Sequence, residues 1–307
     1  MKRVMLLEGG SYRGIYTSGV LDVWMEHNVY PDCVVGVSAG ALNGLGYVAK
    51  QPGRCRDVVL NYGLDPRYVG TRALRKEHNL VGFDFILREM QDFLPFDAET
   101  FYHRGIKFYA AVTNCVTGRQ EYIDRDQSED ILTAVAASSS MPFLCRKVRI
   151  GDQEYLDGGT GLHLPLDFLR QHPEYDRVVV VLTRRLDYRK KAPGGAMRNL
   201  GKRLYREYPK LLNNILREAE IYAEEREALA RMQQEGRVLV VQPEEELEIG
   251  RLERDLEKLR RGYEIGRRDG EKYLGQVRAY LGTREETGLY CEVQDAHLGG
   301  DGPVLSV

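Results

Sequence analysis

Ser38 stands where a nucleophile would, in Gly36-Val37-Ser38-Ala39-Gly40, after the apolar run Cys33–Val37 and before the helix-compatible stretch Ala41–Ala49. G-x-S-x-G is the spacing of a nucleophile elbow, where strand and helix backbones approach so closely that no Cβ fits beside the serine. The helix N-terminus would point its partial positive charge at the serine oxygen and at an anion forming beside it. A plainer reading is a serine that caps the helix. A serine alcohol is a poor nucleophile until something takes its proton. The six histidines (His27, His78, His103, His163, His172, His297) sit in contexts that read as surface or structural. Asp157 is the stronger partner: it ends an apolar segment, and Gly158 and Gly159 behind it let the backbone turn and approach closely. An ordinary Asp-Gly turn has the same signature. A third stretch, Glu8-Gly9-Gly10-Ser11-Tyr12-Arg13-Gly14, fails as a dinucleotide fingerprint because Ser11 replaces a glycine. It fails as a P-loop because Arg13-Gly14-Ile15 replaces Gly-Lys-Ser/Thr. A backbone anion-binding loop remains, beside a plain strand-to-helix turn.

The elements that must position these residues follow from the apolar pattern. Val4–Leu7 and Cys33–Val37 are short continuous apolar runs, suited to buried parallel strands. Each runs through a glycine turn into a helix, the first with Ile15, Val20, Leu21, Trp24 and Met25 on its apolar face. Two such units within fifty residues imply an α/β fold with a mostly parallel central sheet flanked by helices. Reactive loops gather at the C-terminal strand ends of such sheets, so Ser38 and the glycine loop should be neighbours. Ile106–Thr113 and Gln120–Ile123 read as a hairpin, Ser128–Ala137 as a helix of small residues, and Phe143–Ile150 with Glu154–Leu156 as a second hairpin. Arg177–Thr183 is the clearest buried strand. The aromatic-rich stretch from Asn61 to Phe101, with a helix over Phe83–Phe93, supplies core or the wall of an apolar cleft.

Composition changes after Thr183. Ten Lys or Arg face only Asp187 and Glu207 between Arg184 and Lys210. Helical periodicity spans about Leu200–Met232. Arg237–Gln242 adds a strand, and Glu244–Leu281 reads as a charged helix broken at Gly262 and Gly266. The expected organisation is an α/β catalytic domain over 1–183, a mainly helical C-terminal region over 184–281 packing on or completing it, and a loose tail over 282–307. Net charge of −2 over 307 residues gives no argument for nucleic acid. Five scattered cysteines, never in C-x-x-C spacing, suit a reducing compartment rather than a disulfide frame or a zinc site. Cys33 and Cys115 are expected in the core. Met1-Lys2-Arg3 precedes too short an apolar run for a signal peptide, and no stretch nears the roughly 20 apolar residues of a membrane span. The expectation is a cytoplasmic protein with no metal and no cofactor.

EGGSYRG, GVSAG and DGG, in that order and each at an expected strand end, with ASSSMPFL ahead of the aspartate, resemble the patatin-like phospholipases. The likeness is clear from Val4 to Thr183. It implies a three-layer α/β fold and a catalytic dyad of Ser38 and Asp157 without histidine. It implies an oxyanion loop over Gly9, Gly10, Ser11, Arg13 and Gly14, with Gly36 and Gly40 shaping the elbow and Gly158 and Gly159 flanking the dyad. Lipid or other acyl esters are the implied substrates. The family loop usually carries a third glycine where Ser11 stands, and often Asp where Glu8 stands. The other class of reading is a non-catalytic lipid- or acyl-binding protein of the same fold. The basic stretch Arg184–Lys210 is open to two readings: a peripheral contact with an anionic membrane, or a solvated face answered by Glu218–Glu227 and Glu244–Glu257 of the same chain.

Overall fold

The computed structural model describes residues 1–103 and 105–282. Cys291, His297 and the expected tail beyond Gly282 lie outside them. Eight strands form one sheet: β1 (Lys2–Leu7), β2 (Cys33–Val37), β3 (Lys107–Asn114), β4 (Gln120–Asp124), β5 (Val148–Ile150), β6 (Gln153–Asp157), β7 (Tyr175–Val181) and β8 (Val238–Val241). The main path is β5-β6-β3-β2-β1-β7-β8, and β4 pairs with β3. The run β3-β2-β1-β7-β8 is parallel. β4, β5 and β6 join antiparallel at one side.

Among the described residues, twelve α-helices surround the sheet. The first eight are α1 (Gly14–Glu26), α2 (Ala39–Val48), α3 (Arg54–Tyr62), α4 (Thr71–Glu77), α5 (Phe83–Leu87), α6 (Ala98–His103), α7 (Ile131–Ser138) and α8 (Leu166–Gln171). The last four are α9 (Gly195–Leu204), α10 (Pro209–Leu216), α11 (Glu218–Gln234) and α12 (Leu256–Leu281). Successive strand residues face opposite sides. Met5, Leu7, Val34, Val179 and Val241 pack under α1, α2 and α12, while Val4, Leu6, Val35, Val180 and Val240 pack with Phe168 of α8 and Leu229 of α11. Both faces are buried, which is why β1, β2 and β7 read as continuous apolar runs. Cys33 and Cys115 are fully buried.

Three expected helices differ from the structure. The expected Phe83–Phe93 helix is α5 followed by a 3₁₀ turn over Glu89–Asp92. Phe83, Phe85, Ile86, Leu87 and Met90 are all buried, more directions than one amphipathic face offers. The Leu200–Met232 periodicity resolves into α9, α10 and α11, with Pro209 restarting the chain as the first residue of α10. In the expected Glu244–Leu281 helix, only Leu256–Leu281 is helical, opened by Asp255, whose side chain accepts from the Glu257 and Lys258 amides. Gly262 and Gly266 do not break it. A Cβ on Gly266 would fall on the Tyr16 carbonyl of α1, and one on Gly19 of α1 would fall on the Tyr263 carbonyl. The glycines let two helices touch backbone to backbone, and Trp24 Nε1 donates to the Gly270 carbonyl at 3.1 Å. The C-terminal residues thus extend the sheet through β8 and cover it through α12.

Candidate active site

The sheet register brings the serine and the aspartate together. β3 has two edges, and β4 takes one of them over Tyr109–Thr113. β2 and β6 share the other edge end to end: Val37 of β2 lies opposite Ala111, and Asp157 of β6 lies opposite Val112. Because β2 is parallel to β3 and β6 antiparallel, both strands run toward the same point and stop there. Ser38 is the next residue after β2, and Asp157 is the last of β6. Their side chains meet, with Ser38 Oγ donating to Asp157 Oδ2 at 2.7 Å.

The local chain is shaped for that meeting. Ser38 has φ 54° and ψ −121°, a combination L residues avoid and strained turns at functional sites often hold. A Cβ on Gly36 would lie 2.5 Å from Ala41 backbone atoms, and one on Gly40 would fall on the Leu7 carbonyl. Either substitution would push the elbow open. The Ser38 amide donates to Ser138 Oγ (2.8 Å), and that hydroxyl donates to the Ala111 carbonyl (2.6 Å). Ser138 therefore fastens the elbow to β3. The serine run before Pro142 was the available sequence signal for it. Asp157 is fixed from the other side: its Oδ1 accepts from the Gly159 amide (2.7 Å), and its own amide donates to the Ser140 carbonyl (2.8 Å).

The glycine loop closes the third side. A Cβ on Gly9 would sit 3.1 Å from the Ser38 Cβ, and one on Gly14 would sit 2.7 Å from the Ala39 Cβ. Gly9 thus lies against the serine, Gly14 against its neighbour Ala39 and Gly10 against Thr183, while Gly9, Gly10, Ser11 and Arg13 line one cleft with Ser38 and Gly14 lines another. Ser11–Arg13 form a 3₁₀ turn whose first amides have no acceptor within the turn. Ser11 adopts φ 51°, where glycine would be free of strain and an L residue costs about 1–2 kcal/mol. Its hydroxyl donates to Met141 Sδ at 3.4 Å. Glu8 anchors the loop from below: its carboxylate accepts from the Thr183 amide (2.6 Å) and from Tyr222 OH (3.3 Å), and it pairs with Arg226. Glu8 and Arg226 are almost wholly buried. Sequence reading missed Arg226, which looks like any other charge in the Glu-rich α11.

Ser38 and Asp157 are only 7% and 6% exposed. Burial raises the Asp157 pKa above the ordinary carboxylate value, partly offset by the hydrogen bonds from Ser38 and Gly159. His163 lines the same cleft as this pair, but its ring nitrogens engage Glu225 (3.2 Å), Glu218 (3.4 Å) and Lys190 (2.8 Å). Burial and Lys190 oppose its protonation, yet Glu218 and Glu225 outweigh them and its pKa is raised. No group of three or more His, Cys, Asp or Glu among the described residues could hold a metal ion.

Two pockets meet at Ser38. One is apolar, with Leu45, Val58, Val59, Phe83, Ile86 and Leu87 among its lining. The other is polar and carries Arg13, Arg184, Lys190, Glu218 and Arg251. Part of the aromatic-rich stretch is thus cleft wall as well as core.

Known proteins share parts of this chain. "Uncharacterized protein YjjU" of Escherichia coli (strain K12) is 29% identical over 170 residues, covering 53% of this chain and 46% of that protein, so the match spans about half of the relative. The crystal structure of VipD from Legionella pneumophila overlays with a TM-score of 0.44 at 13% identity, over 90% of this chain and 67% of that one. Residues 208–282 match a domain of unknown function, DUF6363. Residues 5–170, more than half of the chain and all three of the loops that converge on Ser38, match the patatin-like phospholipase profile, and the chain belongs to that family.

Proposed function

We propose that the protein is a serine acyl hydrolase that cleaves lipid esters with a Ser38–Asp157 dyad. The observation that carries this reading is the 2.7 Å hydrogen bond between the two side chains, with Ser38 lining an apolar pocket. Ser38 Oγ attacks the ester carbonyl and its proton passes to Asp157. The oxyanion that forms faces the Gly10, Ser11 and Ala39 amides, whose fixed dipoles stabilise it without reorganisation. Arg13 braces that loop by donating to the Ile249 carbonyl at 3.2 Å. Collapse releases the alcohol with the proton from Asp157 and leaves the acyl group on Ser38. Water then attacks, with Asp157 again the base. A raised carboxylate pKa makes Asp157 a stronger base than an aspartate in water. The apolar pocket takes the acyl chain.

Stoichiometric labelling by an alkyl fluorophosphonate, lost in Ser38→Ala, is the expected result, alongside turnover of an ester panel without added metal. No labelling and no turnover would favour a non-catalytic acyl-binding protein, a reading that the strained Ser11 keeps in play. Near-native turnover in Asp157→Asn with loss in His163→Ala would replace the dyad by a histidine mechanism.

The same reading places a lipid surface beside the cleft. Met197, Leu200 and Leu204 are exposed along α9, at positions that share a helix face, with Arg198, Lys202 and Arg203 around them. Among the described residues these three cations form no ion pair, whereas Lys190 is paired with Glu218. α9 packs near Phe143, which lines the polar pocket. No described helix is long and apolar enough to cross a membrane. Sedimentation with anionic liposomes should weaken when Arg198, Lys202 and Arg203 are reversed to Glu. Unchanged pelleting would leave the solvated-face reading.

A further inference from the structure

The polar pocket holds more positive charge than hydrolysis requires. Its lining acids all have prior partners: Glu8 pairs with Arg226, Glu218 with Lys190, and Asp157 accepts from Ser38. Its guanidiniums are less fully matched. Arg184 lies over the Tyr188 ring, 4.0 Å from its centroid, and among the described residues pairs with a carboxylate only at Glu246, 3.9 Å away and 74% exposed. Arg251 makes no ion pair among the described residues and lines both pockets. Arg13 spends one N–H on the Ile249 carbonyl, and its Nε is buried without an acceptor. These cations act on one another: burial first, then the charges of Arg184 and Arg251, lower Arg13 to about 10. Like charges held in a partly desolvated cleft repel, and an entering anion relieves that repulsion.

We propose that this pocket is an anion subsite for the alcohol half of the ester, where Arg184 and Arg251 grip a phosphate group carried by the substrate. The orientation rests on the hydrolase reading; the binding does not. With the acyl chain in the apolar pocket and its carbonyl at Ser38, the alcohol half is left the polar side. The two pockets share Ser11, Ser38, Met141 and Arg251, so one extended molecule can occupy both. A guanidinium offers paired N–H donors that match phosphate oxygens. Tyr188 preorients that of Arg184 by stacking. Arg184 follows shortly after β7, and Arg251 belongs to the 208–282 segment whose role is unknown. Selectivity for a charged head group is thereby assigned to residues outside the serine-bearing loops.

The test uses the full chain carrying Ser38→Ala, which holds ligand without turnover, and isothermal calorimetry with monomeric dihexanoyl phosphatidate and dihexanoylglycerol. Adding Arg184→Gln with Arg251→Gln should raise the Kd for phosphatidate at least tenfold and leave that for dihexanoylglycerol within about twofold. Arg184→Lys with Arg251→Lys should restore part of the loss. In the Ser38 background, the same Gln changes should lower the ratio of kcat/KM for phosphatidate over dihexanoylglycerol at least tenfold, through KM. Equal shifts for both ligands, or none for either, overturn the proposal. So does inorganic phosphate binding as tightly as phosphatidate, which would mark a free-anion site instead. An arginine-dependent preference for phosphatidate in a protein that hydrolyses nothing would remove the hydrolase reading and leave the subsite standing.

Discussion

The apolar pocket and the polar cleft meet at one serine but come from different lengths of chain. Nearly all of the apolar lining lies between Ser11 and Met141, with only Arg251 and Leu252 added from further on. About half of the polar lining comes from Thr183 to Arg251. The first pocket is a product of the α/β unit itself. The second exists only because the C-terminal region folds back over the glycine loop. This contrast suggests a division of labour in which the first half of the chain sets the reaction and the acyl group, and the second half reads what the acyl group is attached to.

The largest expected effect tests the shared point. Ser38→Ala and Asp157→Asn should each cut kcat for any ester by at least about 10³-fold, since loss of a serine nucleophile in a well-studied hydrolase costs on the order of 10⁶. Circular dichroism should show the fold intact, and a loss confined to one ester class would break the idea of a common centre. Next comes the lock between the two regions. Arg226→Gln leaves Glu8 buried without its counter-charge, and breaking such a pair costs about 3–5 kcal/mol. Urea denaturation should show that loss. A change below about 1 kcal/mol would mean that α11 is not what holds the loop. Third, Val59→Phe fills part of the apolar pocket. It should lower kcat/KM for long acyl esters about tenfold relative to acetyl esters, within the roughly 1–3 kcal/mol by which a hydrophobic pocket discriminates substrate size. Equal losses at all lengths would place the acyl chain elsewhere.

The smallest effect concerns stability. The Asp157 pKa is raised in the folded state, so the stability it contributes is present below the unfolded value and is lost as pH rises through the folded one. At neutral pH the buried carboxylate is a burden. Asp157→Asn should raise Tm at pH 7 by a few degrees, and the gain should vanish near pH 3. In activity, the acid limb should lie above the ordinary carboxylate range, because the ionised base is required.

The parts legible in sequence were those whose physics is local. Val4–Leu7 and Cys33–Val37 were readable as strands because burial on both faces leaves no polar residue to blur the pattern. Gly36 and Gly40 were readable because a close backbone approach tolerates nothing else. What escaped depends on partners distant in the chain. Gly262 and Gly266 look like breaks until Gly19 and Tyr16 are found lying against them. Arg226 and Lys190 sit among other charges, and only the folded chain separates a buried ion pair from a solvated one. Ser138 is one of three consecutive serines, and nothing short of the β3 register says which of them holds the elbow.

The end-to-end arrangement of β2 and β6 on one edge of β3 carries a last implication. The spacing of Ser38 and Asp157 is set first by main-chain pairing of Val37 and Asp157 to the adjacent residues Ala111 and Val112, with the Ser138 hydroxyl fastening the elbow to the same strand. A single residue inserted between Ala111 and Val112 would slide the two strand ends apart by about 3.3 Å and turn the carboxylate to the opposite side of the sheet. In this architecture, the number of residues along one strand is itself a part of the site.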